Sequence, residues 1–156
     1  MLFKTHMLFS FIVALFTYEY FNLNPILFTI IVLVSSFIVD IDSTRSKAGK
    51  KLWMLSYPIN FLFRHRGLFH SLLLWIVVVF LISLVSKYWI AVLIGVLSHL
   101  ILDSLTKQGI NFFYPLTFKV KGFIKTGGIL EVIFFILLII FLGLYLIRII
   151  LYTSSN

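Results

Sequence analysis

Five long apolar runs occupy most of this chain and constrain its fold more than any other feature. Runs of this length are typical of helices that cross a lipid bilayer. Because only 12% of the residues are charged and 62% are apolar, the chain also lacks the polar side chains that would cover a soluble domain of its size. We therefore predict a single-domain, all-α integral membrane helical bundle over residues 1–156, with about five transmembrane helices and additional interfacial segments. The predicted spans are residues 5–21, 25–39, 68–86, 88–106 and 128–152.

Short turns and basic residues define the predicted topology. The segments 22–25 and 86–87 are typical of tight connections between antiparallel helices. The first apolar run lacks a small-residue cleavage site, so we expect it to remain as a helix. Eleven of the 13 Lys and Arg residues fall on one side of the predicted bundle, against Lys87 and Arg148 on the other. The positive-inside rule then predicts a multi-pass cell-membrane protein with a cytoplasmic amino terminus and an outer carboxyl terminus.

Two cytoplasmic connections, residues 43–66 and 107–127, combine aromatic and basic residues, such as those around Trp53 and Phe112. This composition suits segments that lie against the inner leaflet and contact anionic lipid headgroups. No DNA-binding or RNA-binding pattern accompanies the charges, so nucleic acid is not an expected partner. The chain has no cysteine, which excludes disulfides, thiolate metal ligands and cysteine nucleophiles.

Ionisable side chains converge at one face of the predicted bundle. A charged group at bilayer depth costs roughly 2.5–3.5 kcal/mol on insertion scales, so some interaction must offset that cost. His99 and Asp103 are four residues apart and project from one helix face, while Asp40 and Asp42 place two mutually repelling carboxylates at a helix end. A divalent cation accounts for both features, and His and Asp ligands suit zinc, manganese or iron. Eight of the nine His, Asp and Glu residues share this face: His6, Asp40, Asp42, His65, His70, His99, Asp103 and Glu131.

Each of these residues taken singly has a simpler explanation, and only their convergence favours a metal site. A serine nucleophile is not favoured, because Ser98 and His99 are neighbours on one helix and point about 100° apart, and because no Gly-x-Ser-x-Gly occurs. Asp103 could form an ion pair with Lys107, and His6 could simply lie at the membrane interface. Glu131 could favour a helix amino terminus. Arg64 and Arg66 could anchor the chain at the membrane rather than bind phosphate.

The motifs, taken in order, resemble those of the LexA-regulated, membrane-bound predicted metal-dependent hydrolases, a YdjM-like family. Three positions depart from the usual family pattern, Val39, Phe69 and Lys107, and none of them removes a candidate ligand. The matching motifs are HMLFS at residues 6–10, DID at 40–42, HRGLFHS at 65–71, SHLILDSLT at 98–106, then Gly109, Pro115, and Gly128 with Glu131.

That family is distantly similar to zinc-dependent phospholipase C and P1 nuclease, in which a His-x-x-x-Asp helix supplies two ligands and its Asp bridges two metals. The resemblance implies one or two divalent ions, with zinc first and manganese or iron as alternatives. By the same resemblance, Asp103 would bridge one ion held by Asp40 or Asp42, His70 and His99, and a second ion held by His6.

We therefore predict a membrane-embedded metal-dependent hydrolase that acts at the cytoplasmic interface on a phosphoester of a lipid or lipid-linked substrate. Asp42 or His65, whichever is not a ligand, would be the general acid or base, and Arg66 would bind a phosphate oxygen. One alternative is a proton- or ion-coupled transporter, which needs polar groups through both halves of the bilayer. Another is a membrane regulator or scaffold with a structural metal site. The predicted metal ligands are His6, Asp40, Asp42, His70, His99 and Asp103.

Overall fold

The computed structural model describes residues 1–44, 46–63, 67–116 and 118–154. Over these residues the protein is all-α, as predicted, with seven α-helices. They are α1 (Phe3–Thr17), α2 (Pro25–Ile38), α3 (Lys47–Lys51), α4 (Trp53–Phe63), α5 (Leu72–Ser83), α6 (Trp89–Ser104) and α7 (Ile129–Ser154). Three short 3₁₀ helices accompany them, at Tyr18–Phe21, Val39–Asp42 and Leu68–His70.

Two helices are long and apolar enough to cross a membrane by length and composition alone. One is α2 together with its 3₁₀ continuation, 18 residues over Pro25–Asp42, and the other is α7, with 26 residues. The apolar helices α5 and α6 are shorter, with 12 and 16 residues. The count of five transmembrane spans therefore stays a prediction.

Local capping determines where two of the helices begin. The side chain of Asn24 accepts a hydrogen bond from the Leu27 amide at 3.0 Å, and Pro25 occupies the first position of α2, where its missing N–H is not needed. Ser71 caps α5 with its hydroxyl oxygen and has an extended backbone. The apolar run that starts at residue 68 is therefore interrupted, and His70 lies on the 3₁₀ turn before α5.

Helix α6 lies at the centre of the bundle and packs against α1, α2 and α5. The approach to α2 is close at Gly95, where an added Cβ would collide with the Val32 carbonyl oxygen. Small residues permit such close contact between helices. An apolar cluster of Val39, Trp75 and Leu100 with neighbouring residues then packs beside the polar side chains at the ends of α2 and α6.

The first predicted cytoplasmic connection contains two helices, α3 and α4. Helices α3 and α4 both pack against the 3₁₀ helix Val39–Asp42, and α4 exposes large side chains such as Trp53 and Phe61. The contact of α4 with the bilayer interface stays a prediction. Helix α7 contacts α1, and Glu131 is its buried residue.

Candidate metal centre

Four of the predicted ligands form one cluster, and three different elements bring them together. Asp40 lies on the 3₁₀ helix that continues α2, and His70 lies on the 3₁₀ helix that precedes α5. His99 and Asp103 lie one turn apart on α6. One ligand atom from each of the four side chains lies within 4.8 Å of all the others. The cluster therefore forms where two tight turns meet the end of the central helix.

The distances within the cluster suit a shared ion. His70 Nε2 lies 3.4 Å from Asp103 Oδ2 and 3.7 Å from Asp40 Oδ1. His99 Nε2 lies 3.7 Å from Asp40 Oδ1 and 3.8 Å from Asp103 Oδ2. Nitrogen and oxygen ligands about 2.0–2.2 Å from a tetrahedral ion are roughly 3.3–3.6 Å apart, so these four distances are close to those expected between ligands of one metal.

His99 provides the clearest sign that a ligand is needed. Its side chain is 1% exposed, and within the described part of the chain neither ring nitrogen has a hydrogen-bond partner. A buried polar nitrogen without a partner is costly. A metal ion is a natural partner for Nε2, so the residues present fit a His/Asp metal site.

His6 lies beside the cluster without belonging to the group of four. Its ring stacks on that of His99, with centroids 3.9 Å apart, and its Nε2 lies 3.2 Å from Asp103 Oδ1. The α-amino group of Met1 donates to the same oxygen at 2.6 Å. Asp103 thus has one carboxylate oxygen towards His6 and the other towards His70 and His99, an arrangement suited to a bridging carboxylate.

Asp42 contacts the cluster indirectly. It is fully buried, and its Oδ2 lies 3.0 Å from Nδ1 of His70, the ring nitrogen opposite the one that faces Asp40. A carboxylate at this nitrogen fixes the tautomer and orientation of a metal-binding imidazole. The predicted catalytic residues His65 and Arg66 lie outside the described residues, as does Arg64, so their roles stay predictions.

Sequence reasoning missed a serine network that joins α1, which carries His6, to α2 and α6. Ser10 on α1 donates to Ser36 on α2 at 2.8 Å and lies 2.7 Å from Ser98 on α6. All three side chains are buried. Ser10 follows His6 by four residues and Ser36 precedes Asp40 by four, so this i, i+4 spacing was the available signal.

Glu131 was one of the ionisable residues predicted to share the face of the metal site. In the structure it makes hydrogen bonds to other residues instead of joining the cluster. It accepts hydrogen bonds from the Leu2 amide at 2.5 Å, the Thr5 hydroxyl at 2.9 Å and the Gly127 amide at 2.6 Å. It is 1% exposed and lies in the first turn of α7. Glu131 therefore ties α7 to the start of α1, the helix that presents His6.

The cluster lies beside a cavity of about 510 Å³ that polar, charged and apolar side chains line together. Asp40 is the most accessible of the four cluster residues, with its side chain 24% exposed. The lining residues come from the start of α1, the turn after α2, the segment around α3, the end of α6 and the connection between α6 and α7. They include Lys4, Asp40, Ser46, Lys47, Asp103, Gln108 and Thr126. Solvent and a small polar group can therefore reach Asp40, whereas Asp103 lies on the same wall but is only 2% exposed.

The fold and the site together define the class, a helical bundle with two helices long and apolar enough to cross a membrane and a candidate metal site at one end. Residues 1–154 match the family described as YdjM inner membrane protein, and the chain belongs to that family. The resemblance found in the motifs is thus confirmed. Family membership also makes this an inner membrane protein, as predicted, whereas the orientation of its termini stays a prediction.

Two relatives illustrate the range of the family. The chain is 33% identical over 133 residues to "Uncharacterized protein YvsG" of Bacillus subtilis (strain 168), covering 82% of this chain and 83% of that protein. It is 29% identical over 97 residues to inner membrane protein YdjM of Escherichia coli (strain K12), covering 57% of this chain and 50% of YdjM. The match thus spans half the length of the E. coli protein. No solved structure matches this chain.

Proposed function

We propose that this protein is a membrane-embedded, metal-dependent hydrolase that acts at the cytoplasmic interface on a phosphoester of a lipid or lipid-linked substrate. The observation that carries the proposal is that the His/Asp cluster borders a cavity lined by Asp40 and Asp103 and is accessible from it through Asp40. Structural metal sites are closed, whereas catalytic sites keep a position open for water or substrate. An accessible cavity beside the cluster therefore favours catalysis over a purely structural site.

The four cluster residues would hold a divalent ion, with zinc first and manganese or iron as alternatives. Such an ion, when bound, activates water and offsets negative charge on the substrate. The protein's own residues orient the ligands. Asp42 accepts the Nδ1 proton of His70, which directs Nε2 of that ring towards the cluster. His6 contacts the far oxygen of Asp103 and would hold a second ion if two are bound.

Proton transfer is assigned to His65 in this proposal. Asp42 and His65 were the two candidates for the general acid or base, and Asp42 is fully buried against His70, which suits a positioning residue better than a group that exchanges protons with substrate. Arg66, the neighbour of His65 in the sequence, would stabilise negative charge on the phosphoryl oxygens.

A lipid substrate is favoured by the membrane location and by the exposed apolar side chains near the site. The family is an inner membrane family, and α4, which packs against the turn carrying Asp40, exposes Trp53 and Phe61. Amphipathic segments of this kind lie at the boundary between headgroups and acyl chains. Substrate phosphates would therefore meet the cavity at headgroup depth.

The transporter alternative receives less support. Across the described ranges a single group of His, Asp and Glu could hold an ion, and it lies at one end of the bundle. Glu19, at the other end, lies 3.0 Å from the hydroxyl of its neighbour Tyr18. A relay through the bilayer would need polar groups along both halves.

Metal content and turnover together test the proposal. Wild type purified in detergent should carry about one or two equivalents of transition metal, and His99→Ala should lose most of it while Glu19→Gln keeps it. With added zinc or manganese, wild type should release phosphate or a phosphorylated headgroup from mixed liposomes, and Asp40→Ala and His99→Ala should not. The proposal fails if the metal-loaded wild type gives no more product than these variants with phosphoester, carboxylester and amide lipids. That result would favour the regulator or scaffold instead.

A further inference from the structure

The cavity beside the cluster has two lysines on its wall, and they come from different elements. Lys4 lies in the first turn of α1, and Lys47 is the first residue of α3. Both line the cavity that reaches Asp40 and Asp103. We propose that Lys4 and Lys47 form a binding site for a phosphate-type oxyanion. This inference rests on the proposed function, because the oxyanion would be the phosphoester group presented to the cluster.

The two ammonium groups are held by aromatic rings rather than by carboxylates. Lys4 Nζ lies 4.7 Å from the ring centroid of Phe135, and Lys47 Nζ lies 4.4 Å from that of Phe3. Among the described residues, no carboxylate lies within 4.0 Å of either ammonium. A ring face positions an ammonium without replacing a hydrogen-bond acceptor, so both groups can still donate to an anion.

Thr126 adds a hydrogen-bonding group to the same wall. It lines the cavity, and its Oγ1 is buried without a hydrogen-bond partner in the part of the chain that the structure describes. The Ser46 hydroxyl, in contrast, already donates to the Asp40 carbonyl at 2.7 Å. A hydroxyl that has no hydrogen-bond partner among the described residues, on a cavity wall that also includes two lysines, suits a phosphate oxygen.

The charge of the cavity also favours an anion. The Met1 α-amino group, Lys4 and Lys47 bring three positive charges to the cavity lining, against two negative charges from Asp40 and Asp103, and a divalent ion at the cluster would make the net charge more positive. The cavity volume of about 510 Å³ exceeds that of a phosphate group and leaves room for the alcohol part of an ester. The site therefore suits a phosphate group on a larger molecule as well as free phosphate.

Calorimetric titration with inorganic phosphate tests the assignment, using the full chain in an uncharged detergent. Lys4→Gln and Lys47→Gln should each weaken phosphate binding by about tenfold or more, as expected for the loss of a charge-assisted hydrogen bond. Lys47→Arg should retain binding. Lys50→Gln is the matched control, since Lys50 is an exposed residue of the same helix and should bind phosphate like wild type. The inference would be overturned if Lys4→Gln and Lys47→Gln bound phosphate as tightly as wild type. It would also be overturned if Lys50→Gln weakened phosphate binding as much as they do.

A second arm distinguishes the source of the phosphate. The protein is placed in phosphatidylcholine nanodiscs with and without phosphatidic acid, and binding of inorganic phosphate is measured. Loss of that binding when phosphatidic acid is present would identify a lipid headgroup as the ligand. Retained binding that still depends on Lys4 and Lys47 would identify a soluble phosphate.

Metal analysis of the same samples separates this inference from the proposed function. Phosphate binding that depends on the two lysines in a protein without metal would support the anion site and contradict the hydrolase. If metal is bound at the cluster but phosphate binding does not depend on the two lysines, the result would contradict the anion site and leave the hydrolase supported.

Discussion

At the scale of single residues, Asp40 and Asp42 show how two neighbouring carboxylates acquire different positions. They are two residues apart on one 3₁₀ helix, yet Asp40 lies 3.7 Å from both His70 Nε2 and His99 Nε2, whereas Asp42 lies against Nδ1 of His70. Asp40 is partly exposed to the cavity and Asp42 is fully buried. One carboxylate is thus placed as a candidate ligand, and the other as the partner that orients the candidate ligand His70.

Asp42→Asn should weaken metal binding without abolishing it. The amide keeps the shape of the side chain but is a poorer acceptor for the Nδ1 proton of His70, and loss of such a partner typically costs about 10–100-fold in metal affinity. Zinc titration against a competing chelator measures the change, with Glu19→Gln as a control for loss of a carboxylate elsewhere. An affinity equal to wild type would show that Asp42 does not position His70. A loss as complete as in His99→Ala would make Asp42 a ligand in its own right.

At the scale of helices, the cluster depends on how closely α1, α2 and α6 approach one another. Gly95 allows α6 to contact the backbone of α2, and Ser10 connects α1 to Ser36 and Ser98 in the same layer. One turn from this layer lie His6 on α1 and Asp40 after α2. The close packing of small residues therefore sets the separation of the candidate ligands.

Gly95→Ala should destabilise the bundle and lower its metal content together. The new Cβ would collide with the Val32 carbonyl oxygen, and overpacking of this kind typically costs about 1–3 kcal/mol. Gly143→Ala is the matched control, because an added Cβ there meets nothing within 4 Å. Thermal unfolding in detergent and metal analysis measure the two effects. A Gly95→Ala protein with the stability and metal content of wild type would contradict the role given to this contact.

At the scale of the whole molecule, charge asymmetry and apolar surface agree with a membrane protein whose site faces one side. Helix α7 is largely exposed and apolar, as expected for a helix surrounded by lipid. Eleven of the 13 basic residues fall on the predicted cytoplasmic side, where the predicted ligands also converge. The orientation of the bundle consequently decides which leaflet and which aqueous compartment the cavity meets.

Single-cysteine labelling tests this orientation, since the chain has no cysteine of its own. In right-side-out membrane vesicles, a membrane-impermeant maleimide should label Lys87→Cys and Ser154→Cys, because the positive-inside rule places both outside. Lys50→Cys should react only after the vesicles are opened. All three positions are exposed, so accessibility within the fold does not decide the result. Protection of Ser154→Cys in intact vesicles would contradict the predicted odd number of spans.

Much of the outline of this protein followed from the sequence. The apolar runs predicted an all-α protein, because a backbone in lipid must satisfy its hydrogen bonds internally. The i, i+4 spacing of His99 and Asp103 placed them on one helix face, and this is a local property of a helix. The motifs also led to the family that the whole-chain comparison confirmed.

Only the tertiary structure decided how the six candidate ligands divide and what surrounds them. Asp40, His70, His99 and Asp103 form one group, and His6 and Asp42 lie beside it. This division depends on where α2 changes to a 3₁₀ helix and where Ser71 starts α5, and on contacts between residues distant in the chain. The positions of Lys4 and Lys47 on a shared cavity depend on the same packing. Spacing along the sequence determines geometry within one helix, but the distance between helices is determined by side-chain packing across the bundle.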